Sequence, residues 1–514
     1  MEGCDGVEQI VSVDVMRESD RLSIAALEDK RTLMRRAGQA VFESYAWKGP
    51  TAIVCGTGNN AGDGYVLAKH LQESGVSVRL FLAEERFSQD GAYFFAQCRE
   101  AGIAYSIWNG EDLSPYCEIA DCLLGTGFSG VPRGKIGEMI DAVNAAKDKG
   151  AFVLSVDINS GLNGDTGLCE KAVRSDLTVS IGYYKTGHFL NQAKDLIGRK
   201  INCNIGIALH GESICYPDPA DFSPYLQQRP HFSHKGMWGY VTVMGGCLSY
   251  SGAAKLANLS ASALRCGCGV VRLAVPDCLK NAVLPYLLES TLCVMPDRDG
   301  HMIFDEKALQ EAFGGIRAAA VGMGWGSGAD YADILDWILR TQCITLIIDA
   351  DGINTLAKMD LSILRQTACR VILTPHLKEF ERLSGVPLEK IQKEPLRVAQ
   401  EFAAAYHVIL LLKGTATVVT DGTETYLCDR GCAGMATAGS GDVLSGVLCG
   451  LMGYCSPTAG AVCMGAWLAG RAGELAQAQS NAVSMTAGDT VSMLPQAVGE
   501  LLKQSANGER EEQG

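Results

Sequence analysis

The chain has 514 residues, 47% of them hydrophobic and 20% charged, and carries a formal net charge of −14. That length exceeds one ordinary core and points to about two to four domains, with two preferred, while the composition excludes a disordered or fibrous chain. The acidic balance, without a dense Lys/Arg run, excludes a general nucleic-acid or anionic-membrane surface, so any phosphate ligand must be held locally.

Residues 1–9 read as a flexible N-terminus. They lack a basic stretch followed by an apolar core, so no secretory signal is expected and the location is read as cytoplasmic. From Asp14 to Tyr45 a helical pattern runs with a break near Asp29 to Arg31. Short apolar runs then alternate with amphipathic stretches: Thr51 to Cys55, Val76 to Leu82, Asp121 to Leu124, Phe152 to Val156 and Leu177 to Ile181. This is βαβ rhythm, and it predicts an α/β domain over residues 10–215.

Around Tyr216 to Pro230 the composition turns to Pro, Asp and Gln, which predicts a linker over residues 216–229. A second α/β domain over residues 230–502 follows, with strands at Tyr240 to Met244, Val270 to Val275, Ala318 to Val321, Ile344 to Ile348, Arg370 to Thr374 and Val408 to Leu412. A hairpin over Ala416 to Thr420 and Glu424 to Cys428 turns at Asp421-Gly422. Val443 to Gly470 carries no charge, but its small residues and the break at Cys455-Ser456-Pro457 read as two buried helices instead of a membrane span. Residues 503–514 read as a polar tail. Twenty cysteines are scattered through apolar segments such as Leu264 to Cys268 and read as reduced core residues, without zinc-site spacing.

Two sets of motifs carry chemistry. In the first domain, Gly56-Thr57-Gly58-Asn59-Asn60-Ala61-Gly62-Asp63-Gly64 follows a strand. Gly56, Gly58 and Ala61, with Glu84 after the next strand, fit a loose dinucleotide fingerprint, so a dehydrogenase is a rival. An ordinary pyrophosphate turn has no use for Asn59, Asn60 and Asp63, which instead suggest a ligand or ion. Gly125-Thr126-Gly127-Phe128-Ser129-Gly130 and Asp157-Ile158-Asn159-Ser160 also follow strands, where open α/β sheets bind ligands.

In the second domain, Gly434 to Asp442 is a small-residue loop running into a helix, with Gly439 and Gly441 leaving room for an anion and Asp442 placed as a base. The other motifs are Ser233-His234-Lys235-Gly236, Gly245-Gly246, Ser251-Gly252-Ala253-Ala254, Gly322-Met323-Gly324, Asp349-Ala350-Asp351, Thr374-Pro375-His376 and Lys413-Gly414-Thr415-Ala416-Thr417. The glycine-aspartate loop alone also permits a ribokinase-type small-molecule kinase with a non-catalytic Rossmann-like binding domain.

On these motifs the chain resembles the bifunctional NAD(P)H-hydrate repair enzymes, over about Ile10 to Leu209 for the epimerase and Gln228 to Leu501 for the dehydratase. The resemblance implies a Rossmann-like three-layer domain followed by a ribokinase-like α/β domain. It implies epimerisation of the R and S hydrates of NADH and NADPH, then dehydration of the S form. The hydrate hydroxyl is phosphorylated by ADP or ATP and phosphate is eliminated; the fused order favours ADP.

It carries epimerase contacts onto Asn59, Asn60, Ala61, Gly62, Asp63, Gly125, Thr126, Gly127, Phe128, Ser129, Gly130, Val131 and Asp157. Potassium falls on Asn60, Asp121 and Ser160, and acid–base catalysis on Asp157. Dehydratase contacts fall on Ala253, Gly324, His376 and Asp442, nucleotide contacts on Lys413, Gly414, Thr415, Ala416, Thr417 and Gly441, and the base is Asp442. Magnesium is implied without protein ligands, and the expected assembly is a homo-oligomer that binds neither nucleic acid nor membrane. One departure is Asn159, where the family often has Pro.

Overall fold

The computed structural model describes residues 7–226, 229–261 and 266–511. The expected flexible residues 1–6, tail residues 512–514 and Gln227-Gln228 lie outside the described residues, as does part of the Leu264 to Cys268 stretch. The chain forms two compact units, Gln9–Ile214 and a second built from Cys215 onward.

The first unit is built on a parallel sheet in the order Ala104–Ile107, Val78–Leu82, Thr51–Cys55, Glu118–Cys122, Phe152–Val156, Ser175–Ile181, Ile197–Cys203. This is the Rossmann-like order expected. Thr51–Cys55 and Glu118–Cys122 are buried at every residue, as a sheet covered on both faces requires. The order reverses between these two strands, where successive connections leave on opposite sides and open a crevice. Gly56 permits the reversal: a Cβ there would lie 1.9 Å from the Leu123 carbonyl oxygen.

Several boundaries differ from the sequence reading. The strand expected at Asp121 to Leu124 is Glu118–Cys122, because the buried Glu118 carboxylate is satisfied by the Lys48 N–H at 2.9 Å and the Thr51 hydroxyl at 3.1 Å. The Asn59 to Gly64 part of the first motif is helical, since Asn59–Glu73 begins directly after Gly58. Val13–Ala25 and Thr32–Glu43 form the two helices on either side of the expected break.

The second unit carries the parallel run Thr291–Met295, Val270–Pro276, Tyr240–Met244, Ala318–Val321, Thr345–Ile348, Arg370–Leu373, Ile409–Leu412. Antiparallel Thr417–Thr420 and Thr425–Cys428 extend it through the expected hairpin. This is the α/β architecture expected of a ribokinase-like domain. Its core includes the helices Ser440–Met452 and Ala459–Gln479, each largely buried within the unit. Among the described residues no helix is long and apolar enough to cross a membrane.

The stretch expected to be a linker packs instead: the Tyr216 hydroxyl donates to Asp429 at 3.1 Å, and Phe222 is buried in the second unit's core. Pro217 and Pro219 break periodicity without freeing the chain, because a short helical turn starts at Pro219. Helix Ala487–Glu511 runs through most of the expected tail. Among the described residues Cys215 is disulfide-bonded, an exception to the reduced reading, whereas core cysteines such as Cys55, Cys122 and Cys449 form no disulfide.

Candidate active sites

In the first unit a cavity of about 660 Å³ opens at the strand-order reversal, a size suited to a small-molecule ligand. Asn59, Asn60, Asp63, Gly125, Thr126, Gly127, Phe128 and Asp157 line it. Ala61 and Gly62 do not; they are buried, and a Cβ on Gly62 would lie 2.5 Å from the Met34 sulfur. Ser129, Gly130 and Val131 also lie outside the lining. Glu84 lines the cavity, two residues beyond its strand.

Asp157 sits just past the strand Phe152–Val156 with φ +65°, an unusual backbone state for a residue with a Cβ. Two side chains hold it there. The Lys185 ammonium is ion-paired to Asp157 Oδ1 and also donates to the Ile181 carbonyl at 2.9 Å. His188 Nε2 lies 2.8 Å from the Asp157 carbonyl oxygen, while its Nδ1 accepts from the Lys185 N–H at 3.0 Å. Burial and the Lys185 charge push the imidazole down to about 4, so at neutral pH it is uncharged with its proton on Nε2. Burial alone would raise the Asp157 carboxyl, but the charge and hydrogen bond of Lys185, with His188, hold it below the ordinary range.

Beside it, Asp121 is fully buried and accepts from the Ser160 hydroxyl at 2.5 Å, the Ser160 N–H at 2.9 Å and the Ser155 hydroxyl at 2.9 Å. Burial still raises its carboxyl above the usual range. Asn60 donates to the Leu124 carbonyl at 3.1 Å, leaving its own buried Oδ1 without a hydrogen-bond partner. A buried amide oxygen left without a donor is chemically suited to a hard cation. Asn159, the residue at the family departure, donates to Val173, Ser175 and Leu196 and accepts from Thr178 at 2.5 Å, so hydrogen bonds pin this loop.

In the second unit, helix Ser440–Met452 is preceded by Gly439 at φ +95°, and Asp442 occupies its first turn. The Ser440 hydroxyl there is buried without a partner, and the helix start presents free N–H groups, a combination suited to phosphate. Asp349 is buried and accepts from Lys413 Nζ at 2.9 Å and from the Ser445 hydroxyl at 2.7 Å. Burial would raise the Asp349 carboxyl, but Lys413 and these hydrogen bonds hold it low. Asp442 has no such clamp: burial and the neighbouring Asp349 charge push its carboxyl up to about 7, against a smaller pull from Lys413.

A Cβ on Gly441 would lie 3.5 Å from both Asp349 Oδ2 and Lys413 Nζ, so this ion pair and the glycine turn share one space. Helix Ser251–Ala261 adjoins it: Ala253 faces Gly324, and Leu256 packs at Gly439. His376 caps helix Leu377–Ser384, its Nδ1 accepting from the Lys378 and Glu379 N–H groups, each at 3.1 Å. Within the stretch expected to contact nucleotide, Gly414 and Thr415 are exposed and Ala416 is buried. Among the described residues no group of three His, Cys, Asp or Glu side chains is arranged to hold a metal.

Comparison with known proteins decides between the rival readings. Residues 30–187 match the family model described as YjeF-related protein N-terminus, and residues 241–496 that described as NAD(P)H-hydrate dehydratase. The bifunctional NAD(P)H-hydrate repair enzyme Nnr of Moorella thermoacetica is 32% identical, over 95% of this chain and 96% of the relative. The chain belongs to this family. The enzyme of the same name from Coxiella burnetii is 31% identical over 85% of this chain and 88% of its own. A solved ADP/ATP-dependent NAD(P)H-hydrate dehydratase from Bacillus subtilis, co-crystallised with ATP/Mg2+, covers 56% of this chain and 99% of its own at 28% identity and TM-score 0.48.

Membership sets aside the dehydrogenase reading of Gly56 to Gly64. Lys185, His188 and Ser445 escaped the sequence reading. Tyr184-Lys185-Thr186-Gly187-His188 follows a strand as the recognised motifs do, and that position was the available signal. Ser445 lies inside an apolar helix that gave no cue.

Proposed function

We infer that this chain repairs hydrated reduced nicotinamide dinucleotides in two steps, with epimerisation in the first unit and nucleotide-dependent dehydration in the second. The observation that carries the reading is the pair of unlike carboxylate sites, one lining a ligand-sized cavity and one at a helix start beside a free hydroxyl.

In the first site the Asp157 carboxylate exchanges protons with the hydrate, and Lys185 and His188 hold it in place. Asn60, Asp121 and Ser160 would hold potassium, which supplies positive charge against the cavity carboxylates. In the second site Asp442 takes the proton from the hydrate hydroxyl as its oxygen attacks the terminal phosphoryl of ADP or ATP. The Gly439 to Gly441 backbone and the helix start stabilise charge on the phosphoryl oxygens. Phosphate is a good leaving group where hydroxide is a poor one, so elimination restores the nicotinamide double bond. Magnesium would neutralise nucleotide charge, and Lys413 to Thr417 with Gly441 would position the nucleotide. Ala253, Gly324 and His376 would contact the hydrate. We take the enzyme to be a cytoplasmic homo-oligomer that favours ADP.

The test mixes the full chain with both epimers of NADH hydrate, magnesium, potassium and either nucleotide, and follows reduced-nicotinamide absorbance. Complete nucleotide-dependent recovery is expected. Recovery that stops at the S fraction, after correction for spontaneous exchange, removes the epimerase; no recovery with either nucleotide turns the reading to a small-molecule kinase.

A further inference from the structure

The first-unit cavity holds a second carboxylate whose surroundings are the reverse of those at Asp157. Asp63 lies three residues after Asn60 on helix Asn59–Glu73, one turn along and on the same face. That face meets the Asp157 side: a Cβ on Gly125 would lie 3.4 Å from Asn60 Cβ and 3.7 Å from Asp157 Oδ2. Both carboxylates line the same cavity.

The cations are unevenly shared. Lys185 is committed to Asp157, Ile181 and Ser180. Asp63 makes no side-chain hydrogen bond among the described residues. Asp20, from helix Val13–Ala25, lines the same space and adds negative charge. The other charged groups of the lining are Arg17, Lys30, Glu84 and Arg86, which are exposed, and the half-buried Asp90. Burial pushes the Asp63 carboxyl well above its ordinary range, with Asp157 and Asp20 adding to the rise and Lys185 opposing it. Two like groups with diverging proton affinities on one cavity make an acid and a base.

We propose that Asp63 is a second acid–base group of this cavity, giving its proton to the hydrate hydroxyl while Asp157 takes a proton from the water that replaces it. This rests on the reading of the cavity as the epimerase site. Hydration of an enamine double bond places the hydroxyl on the carbon next to nitrogen. Asp63 protonates that hydroxyl, the C–O bond breaks and water departs, and the nitrogen lone pair forms a C=N bond. Water adds to the opposite face, the C=N pair returns to nitrogen, and the proton lost from that water goes to Asp157. The enzyme is left with Asp63 ionised and Asp157 protonated, ready for the reverse inversion or for proton exchange with solvent.

The experiment compares Asp63→Asn and Asp157→Asn in the full chain, measuring R/S exchange with potassium, the Kd for NADH hydrate, and dehydration of the purified S form. Asp63→Asn is expected to lose at least about a hundredfold in exchange rate with Kd nearly unchanged and dehydration intact. Full exchange in Asp63→Asn with an inactive Asp157→Asn overturns this proposal alone; full exchange in both overturns the cavity's assignment. A loss of affinity without a loss of rate at saturation makes Asp63 a contact only and overturns the proposal. Should Asp63→Asn fail to fold, the unaltered chain decides: exchange must decline on the alkaline side as Asp63 ionises, and a rate without any alkaline decline over the whole pH range in which the chain stays folded overturns it.

Discussion

The two sites use the same pair of side chains in opposite ways. In the first unit the lysine is clamped to the aspartate that lines the cavity, Lys185 on Asp157. In the second it is clamped to a neighbour, Lys413 on Asp349, and the aspartate at the helix start is left unpaired. The first arrangement keeps its carboxylate ionised over a wide pH range; the second holds a carboxyl poised near pH 7, where a base is both available and strong. Which carboxylate a buried lysine touches therefore decides what the site can do.

The sharpest break of this comparison is a crossed pair of substitutions. Asp442→Asn should cut dehydration by about 10²–10⁴-fold and leave R/S exchange unchanged, and Asp157→Asn should do the reverse. Full dehydratase activity in Asp442→Asn would falsify the base assignment. Separate assays of the two half-reactions on one preparation check this.

Removing either lysine comes next in size. Lys185→Met and Lys413→Met each strand a buried carboxylate, and thermal or denaturant unfolding of the full chain at neutral pH should register about 3–5 kcal/mol of lost stability. The sign with pH follows from the depressed carboxyls of Asp157 and Asp349. Their stabilisation is present above the ordinary carboxylate pKa of about 4 and disappears as pH falls through the lower folded value, so parent and variants should converge in acid. Equal losses at all pH values would mean that packing, not charge, is at stake.

A smaller effect separates the sites by ion. Asn60→Ala should raise the potassium needed for half-maximal exchange about tenfold, and leave dehydration at fixed potassium unaltered. A potassium titration of both half-reactions measures it, and an unchanged half-saturation would remove Asn60 from the ion site.

The sequence was most readable where burial is complete. Thr51–Cys55, Phe152–Val156, Tyr240–Met244 and Ala318–Val321 are interior strands, and their apolar runs mark them residue for residue. Ala104–Ile107 and Ile197–Cys203 lie at sheet edges, carry polar or exposed side chains and leave no such run. The site residues divide in the same manner. Asn60, Asp157 and Asp442 announce themselves by position after a strand or at a helix start. Lys185 and Ser445 become meaningful only through partners 28 and 96 residues away in sequence. His376 was legible as a candidate contact, but not its capping of the next helix, which depends on a ring orientation that spacing does not encode.

The comparison is tested most directly by the pH dependence of kcat/KM for the two half-reactions on a single preparation. Dehydration should fall tenfold per pH unit below about 7, as the Asp442 carboxylate takes up its proton. Exchange should hold through that range, its acid decline lying below the ordinary carboxylate pKa because Lys185 keeps Asp157 ionised. Coincident acid limbs for the two reactions would contradict the account, since the placement of the two lysines would then have no consequence for the chemistry.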